Sequence, residues 1–255
     1  MSGGLQGPAG WHFSVKKFLP PPAYKAWILD WLRRDWEALW HYDRATPDAI
    51  ANADHWFAHL VGDTAYGAAT RHYHTLDHLV HGLSEIAVWA ANTHASGDDI
   101  ATVKKAYWFH DAVHHAPRRA SSNQEESARL WLDSRLDPID AEAPARLIRA
   151  TDHLRMNGVT HPLQDVMLGV DLAIFGQSHE VYDQYTRCVR MEYRAIAEDV
   201  YRENRKKVML RFQRMAQAGT LYPNRYFSEL YLETAMHNIA REIAALDRDG
   251  QEVAK

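Results

Sequence analysis

From residue 24 to residue 40 the bulky positions Trp27, Trp31, Trp36 and Trp40 return at spacings of four or five, with Asp30, Arg33, Arg34, Asp35 and Glu37 between them. That period belongs to a helix with one apolar face. The same rhythm continues through most of the chain, and no stretch alternates apolar and polar residues as a half-buried strand does. The expected fold is therefore all-α: a single-domain helical bundle of about eight to ten helices. Residues 1–23 form a Gly- and Pro-containing lead-in, and residues 24–250 the helical domain.

Local signals set the expected boundaries. Pro20, Pro21 and Pro22 precede the first helix. Further helices are expected over 52–61, 74–89 and 99–115. Asn123 is expected to cap the next helix, with Glu126 completing a capping box, and that helix runs to Leu136. Pro144 opens a helix ending near Gly158. The remaining expected helices span 162–174, 179–199, 201–218 after a break, and 226–246.

Composition narrows the chemistry. Cys188 is the single cysteine among 255 residues, so an intramolecular disulfide and a thiolate-rich metal site are both excluded. Any metal must be held through nitrogen and oxygen. No apolar run reaches membrane-spanning length, and the N-terminus lacks the regions of a signal peptide, so cytoplasmic localisation is the expectation. A net charge of −4 provides no general field for nucleic acid. The basic run Arg202, Arg205, Lys206 and Lys207 reads more simply as a solvated helix face.

The 16 histidines are unevenly placed: His72, His74, His78 and His81 form one group, and His110, His114 and His115 another. His74 and His78 are spaced to share a helical face, which suits either metal binding or a packed core. No Glu follows His74, so the HExxH arrangement is absent. His110 and Asp111 follow the aromatic run Tyr107, Trp108 and Phe109, where an ionised Asp needs a partner. Asp171 is the carboxylate set most deeply in apolar sequence, as a ligand or as a cap for the turn before Gly176.

The stretches RHYHTLDHL (71–79), WFHDAVHH (108–115), NQEESA (123–128), ATDHL (150–154) and DLAIFG (171–176) together resemble the HD superfamily of metal-dependent phosphohydrolases, and more closely a bacterial branch of predicted members. The resemblance spans roughly residues 25 to 247. It implies an all-helical HD-type fold and a divalent metal, among Mn, Fe, Ni, Co, Zn or Mg, held by His78, His110, Asp111 and Asp171. It also implies hydrolysis of a phosphate ester, such as a nucleotide or small phosphomonoester, by metal-activated water. The run from Tyr73 to His78 is similar to the motif of cyclic-nucleotide phosphodiesterases, in which the first His protonates the leaving oxygen. Thr75 stands where that motif usually has Asn, which argues against a cyclic-nucleotide substrate. His74 is accordingly expected as proton donor, Asp111 as a ligand that also orients water, and Arg71 as a cation facing the phosphate, with Arg118 and Arg119 able to close over it.

His114, His115, Glu126 and His153 are candidates for supporting the ligands or holding a second metal. The alternatives are an HD-type di-iron oxygenase and a noncatalytic, metal-containing ligand-binding protein. The expected partner is a small phosphorylated substrate rather than a membrane or a nucleic-acid polymer. A homodimer through residues 179–218 is left open.

Overall fold

The computed structural model describes residue 16 and residues 19–117, 121–153 and 160–252. These residues form ten α-helices and one 3₁₀ helix, with no strand among them. The helices are α1 (Pro21–Leu39), α2 (Pro47–Val61), α3 (Leu76–Asn92), α4 (Gly97–Phe109), α5 (Asn123–Ser134), α6 (Glu142–Ala150), α7 (Gln164–Asp171), α8 (His179–Glu192), α9 (Glu198–Gln217) and α10 (Arg225–Glu252). The 3₁₀ helix, Leu172–Gly176, follows α7 directly. None of the helices is long and apolar enough to cross a membrane. The chain divides into two units, Met1–Met167 and Leu168–Lys255, and the boundary falls within α7.

The first unit is built on aromatic packing. Trp36, Trp108, Phe109 and Trp131 are almost fully buried. Trp108 meets Trp36 edge-on at 4.8 Å and Phe109 meets Trp131 edge-on at 5.2 Å, the arrangement aromatic quadrupoles favour. Of the tryptophans in the first helix Trp36 is a core residue, whereas Trp27 and Trp31 are only half-buried, the buried face running through Tyr24, Ile28, Leu32, Trp36 and Leu39. Trp108 also donates its indole N–H to Asp35 at 3.2 Å, and Asp35 pairs with Lys104. The C-terminal end of α4 is consequently fixed from several sides.

Several expected boundaries change, some through local turns and others where a tertiary contact replaces helical hydrogen bonding. Helix α3 starts at Leu76 rather than His74, since Arg71 captures the His74 carbonyl and Thr75 N–H turns back to Tyr73 O at 2.8 Å. Helix α4 ends at Phe109 rather than His115. Beyond it, Asp111 N–H donates to Tyr66 Oη, Val113 N–H donates to Ser127 Oγ, and the carbonyls of Asp111 and Ala112 accept from Arg71. His114 and His115 therefore do not continue a helix one turn after His110 and Asp111.

Ser122, not Asn123, caps α5, accepting from Glu125 N–H at 3.0 Å. Asn123 instead brackets the backbone of His115, donating to its carbonyl and accepting from its N–H. That helix stops at Ser134 because Arg135 turns left-handed, at φ 52°. Helix α6 ends at Ala150, which leaves Asp152 and His153 in the turn beyond it, and Gly158 lies outside the described residues.

The second unit grips the backbone at both ends of its 3₁₀ helix. Tyr222 Oη donates to Leu172 O at 2.9 Å, and Asn238 Nδ2 donates to both Phe175 O and Gln177 O at 2.9 Å. Gly169 and Gly176 have no room for a side chain, being pressed against Phe227 and Tyr231. The basic run on α9 is spent within this unit: Arg205 pairs with Glu242 at 2.6 Å, Lys206 with Asp247, Lys207 with Glu203, and Arg202 donates to Leu246 O.

Gly82 on α3 lets that helix approach α4, because a Cβ there would lie within the Tyr107 ring. Gly82→Ala is expected to cost about 1–3 kcal/mol through overpacking, read by denaturant unfolding of the metal-free protein. Gly97→Ala is the control. Nothing lies within 4 Å of that position, and the change is expected to be neutral or mildly stabilising.

Candidate metal centre

His78 enters from the first turns of α3, whereas His110 and Asp111 sit where α4 stops. Because the helix ends there, the two neighbouring side chains are no longer held about 100° apart around one axis and can turn toward a common point. His78 Nε2 lies 3.0 Å from His110 Nε2. Asp111 Oδ2 is 3.1 Å from His110 Nε2 and 3.5 Å from His78 Nε2. All three residues are buried, at 3, 1 and 5% exposure.

These separations match neighbouring vertices of a coordination polyhedron. With ligand bonds of about 2.1 Å, adjacent donor atoms lie about 3.0 Å apart at right angles and about 3.4 Å apart in a tetrahedron. The two imidazoles and the carboxylate form a buried donor set that fits a divalent metal ion, and the nitrogen and oxygen donors suit a first-row transition metal. The residues present therefore fit the ion that the sequence pattern implies.

Protonation is arranged accordingly. His110 Nδ1–H donates to Tyr107 O at 2.7 Å, which makes Nε2 the ring nitrogen that faces the set. Burial pushes the His78 imidazole down to about 4, so it is neutral at pH 7. Burial opposes charge on Asp111 too. There it is overcome by His110, by His74 and by hydrogen bonds from His110 and His78, which hold the carboxyl well below its usual range. The result is a neutral His78 imidazole beside an anionic Asp111, the states a metal requires of those two groups.

His74 stands just outside this trio. Its Nε2 is 3.6 Å from Asp111 Oδ2, its side chain keeps 18% exposure, and its ring stacks on that of His114 with centroids 3.9 Å apart. It precedes α3 rather than lying on it, so contact with the trio comes from the extended approach and not from helical spacing.

Arg71, expected to face a phosphate, is buried and turned to the backbone. Its Nη1 donates to Asp111 O at 2.6 Å and to His74 O at 3.3 Å, and its Nη2 donates to Ala112 O at 2.7 Å. The guanidinium also lies over the Tyr66 ring at 5.2 Å. Arg71 thus ties the segment carrying His74 to the turn carrying Asp111. Neither Tyr66 nor this use of Arg71 was readable from local pattern, since both depend on residues about forty positions away.

Among the described residues, His115, Glu126 and His153 do not join the three-atom set. His115 Nε2 faces Glu126 Oε2 at 3.4 Å, and Glu126 also accepts from Ser121 Oγ. His153 lies in the turn after α6, its N–H donating to Thr151 O. Arg118 and Arg119 lie outside the described residues. Asp171 is the last residue of α7, directly before the clamped 3₁₀ helix of the second unit. A further buried pair that sequence reading passed over is His81 and Glu85 on α3, 3.2 Å apart, for which the i,i+4 spacing was the available signal. Comparison with known proteins gives no match to a family model, to a curated protein or to a solved structure.

Asp111→Asn keeps the side chain's size and removes its charge. It is expected to weaken metal binding by more than about a hundredfold with helicity retained, read by metal titration and circular dichroism. Arg71→Lys cannot span the same carbonyls and is expected to weaken binding by roughly 10- to 100-fold without removing a ligand.

Proposed function

We propose that this chain is a metal-dependent phosphohydrolase of the HD type, acting on a small phosphate ester. The observation that carries the reading is the convergence of His78 Nε2, His110 Nε2 and Asp111 Oδ2 at coordination spacing in a buried site. The order of motifs along the chain supports assigning Asp171 as a fourth, anionic ligand.

A bound divalent ion supplies Lewis-acid polarisation of the phosphoryl oxygens and lowers the proton affinity of water. The chain's own groups supply positioning and proton transfer. Asp111 accepts a hydrogen bond from the attacking water and fixes its direction. His74, outside the ligand set but within reach of it, donates a proton from its ring to the leaving ester oxygen as the P–O bond breaks. Arg71 keeps His74 and Asp111 in register through their backbone carbonyls, and His110 keeps its ligand tautomer through Tyr107 O. Tyr73 and Tyr107 pack against the His78 ring, with centroids 5.0 and 5.6 Å away, and cover that side of the site with aromatic surface. The partner implied is a small phosphorylated metabolite in the aqueous phase.

Metal analysis of freshly purified protein, followed by phosphate release from a panel of nucleotides and phosphomonoesters, tests this reading. His74→Asn is expected to retain the metal while lowering the rate by roughly 10²- to 10⁴-fold, with a substrate bearing a good leaving group partly spared. Metal loss in that variant would instead make His74 a ligand. Asp171→Asn is expected to lower metal affinity at unchanged helicity, and unchanged affinity would remove Asp171 from the ligand set. A fully loaded wild-type protein that releases phosphate from no member of the panel contradicts the hydrolytic reading.

A further inference from the structure

His74 stands at the edge of the metal centre with its backbone held by one set of contacts and its ring by another. Arg71 Nη1 donates to the His74 carbonyl at 3.3 Å, and Thr75 N–H donates to Tyr73 O at 2.8 Å, which fixes the chain just ahead of α3. Neither bond sets the ring, because rotation about χ2 of a histidine is broad. A proton donor needs its ring aimed, since transfer takes place at heavy-atom distances of about 2.6–3.2 Å.

Aromatic neighbours bound that ring. His114 lies face to face with it, with centroids 3.9 Å apart and planes 28° from parallel, and Tyr73 meets it edge-on at 4.8 Å. Rotation about χ2 short of a full flip opens the stack, so the contact selects an orientation. In that orientation His74 Nε2 stands 3.6 Å from Asp111 Oδ2.

His114 is in turn fixed from both sides, although it lies outside any helix. Val113 N–H donates to Ser127 Oγ at 3.0 Å, and Ser127 Oγ donates back to Val113 O at 3.4 Å. His115 N–H donates to Asn123 Oδ1 at 3.2 Å, and Asn123 Nδ2 donates to His115 O at 3.3 Å. The residues before and after His114 are thus each clamped at both backbone groups by side chains of α5. Asn123 and Ser127 are four positions apart on one face of that helix and are buried, at 2 and 0% exposure. Two buried polar side chains are committed to the flanks of one residue, and the ring of that residue lies on His74.

We propose that His114 is a positioning residue for proton transfer: clamped by Asn123 and Ser127, its ring stacks on His74 and holds that ring facing the metal centre. This rests on the phosphohydrolase reading, in which His74 delivers the proton, and assigns His114 the task of aiming it. His114 acts through the flat face of its ring, so a phenyl ring can replace it and a methyl group cannot.

Phenyl phosphate and 4-nitrophenyl phosphate are similar in size and differ in how much the leaving oxygen needs a proton, and their turnover by the metal-loaded full chain tests the assignment. His114→Ala is expected to lower kcat for phenyl phosphate roughly 10- to 100-fold, with KM within about twofold and 4-nitrophenyl phosphate spared to within about threefold. His114→Phe keeps the stack and should bring phenyl phosphate turnover to within about threefold of wild type. In a His74→Asn background His114→Ala should change the rate by no more than about twofold, because the residue it acts through is already gone. Equal losses on both esters, a full effect in the His74→Asn background, or a His114→Phe variant no better than His114→Ala overturns the assignment. The His74 ring signal in the NMR spectrum of the zinc-loaded chain, identified by its loss in His74→Asn, reads the stack without turnover. It should lie upfield in wild type and in His114→Phe, through the ring current of residue 114, and move downfield in His114→Ala. A signal that His114→Ala leaves in place overturns the proposal. Turnover of neither ester contradicts the hydrolytic reading, and the ring signal then decides for or against the stack by itself.

Discussion

Two imidazole nitrogens 3.0 Å apart, with a carboxylate oxygen between 3.1 and 3.5 Å from each, form an arrangement that is costly in a dry site without a cation. Lone pairs and an anion brought to one point repel, and a divalent ion converts that repulsion into coordination. Much of the first unit serves to enforce this convergence. The aromatic contacts of Trp108 and Phe109 fix the end of α4, and the absence of a side chain at Gly82 lets Tyr107 lie against α3. Tyr107 then binds His78 O through its hydroxyl and His110 Nδ1 through its carbonyl. One tyrosine thereby orients two ligands carried by different helices.

The end of α4 is the most consequential local event in the fold. A helix continued to His115 would bury a row of satisfied carbonyls and point Asp111 away from His110. Arg71 instead takes the carbonyls of Asp111 and Ala112, while Tyr66 and Ser127 take the amides of Asp111 and Val113. Four of the groups released from the helix thus find partners, which is the condition for ending a helix inside a protein. The same exchange frees His114 to stack on His74, with ring centroids 3.9 Å apart. One backbone turn thereby positions Asp111, through its own carbonyl, and the His74–His114 stack.

The helical class was legible because apolar residues recur at helical spacing throughout, as in α1 with Tyr24, Ile28, Leu32, Trp36 and Leu39 buried on one face. His78, His110 and Asp111 were legible as a set through the order of their motifs, and the structure brings these three together. The boundaries that failed were those decided at long range. Nothing near His74 announces that Arg71 will hold its carbonyl, and nothing near Asp111 announces Tyr66. Ser122 displaced Asn123 as a cap because Asn123 was needed by the His115 backbone. His153 was read as helical from its Ala- and Leu-rich surroundings, but α6 ends before it.

X-ray absorption on the chain loaded with one equivalent of Mn²⁺ or Co²⁺ addresses the central claim directly, because scattering from the imidazole ring reports histidine ligands separately from oxygen donors. The account predicts two imidazole nitrogens, at about 2.1 Å for the smaller ion, with oxygen atoms completing the sphere, and loss of one imidazole in either His78→Ala or His110→Ala. An all-oxygen sphere, or an imidazole signal unchanged in both variants, would contradict it.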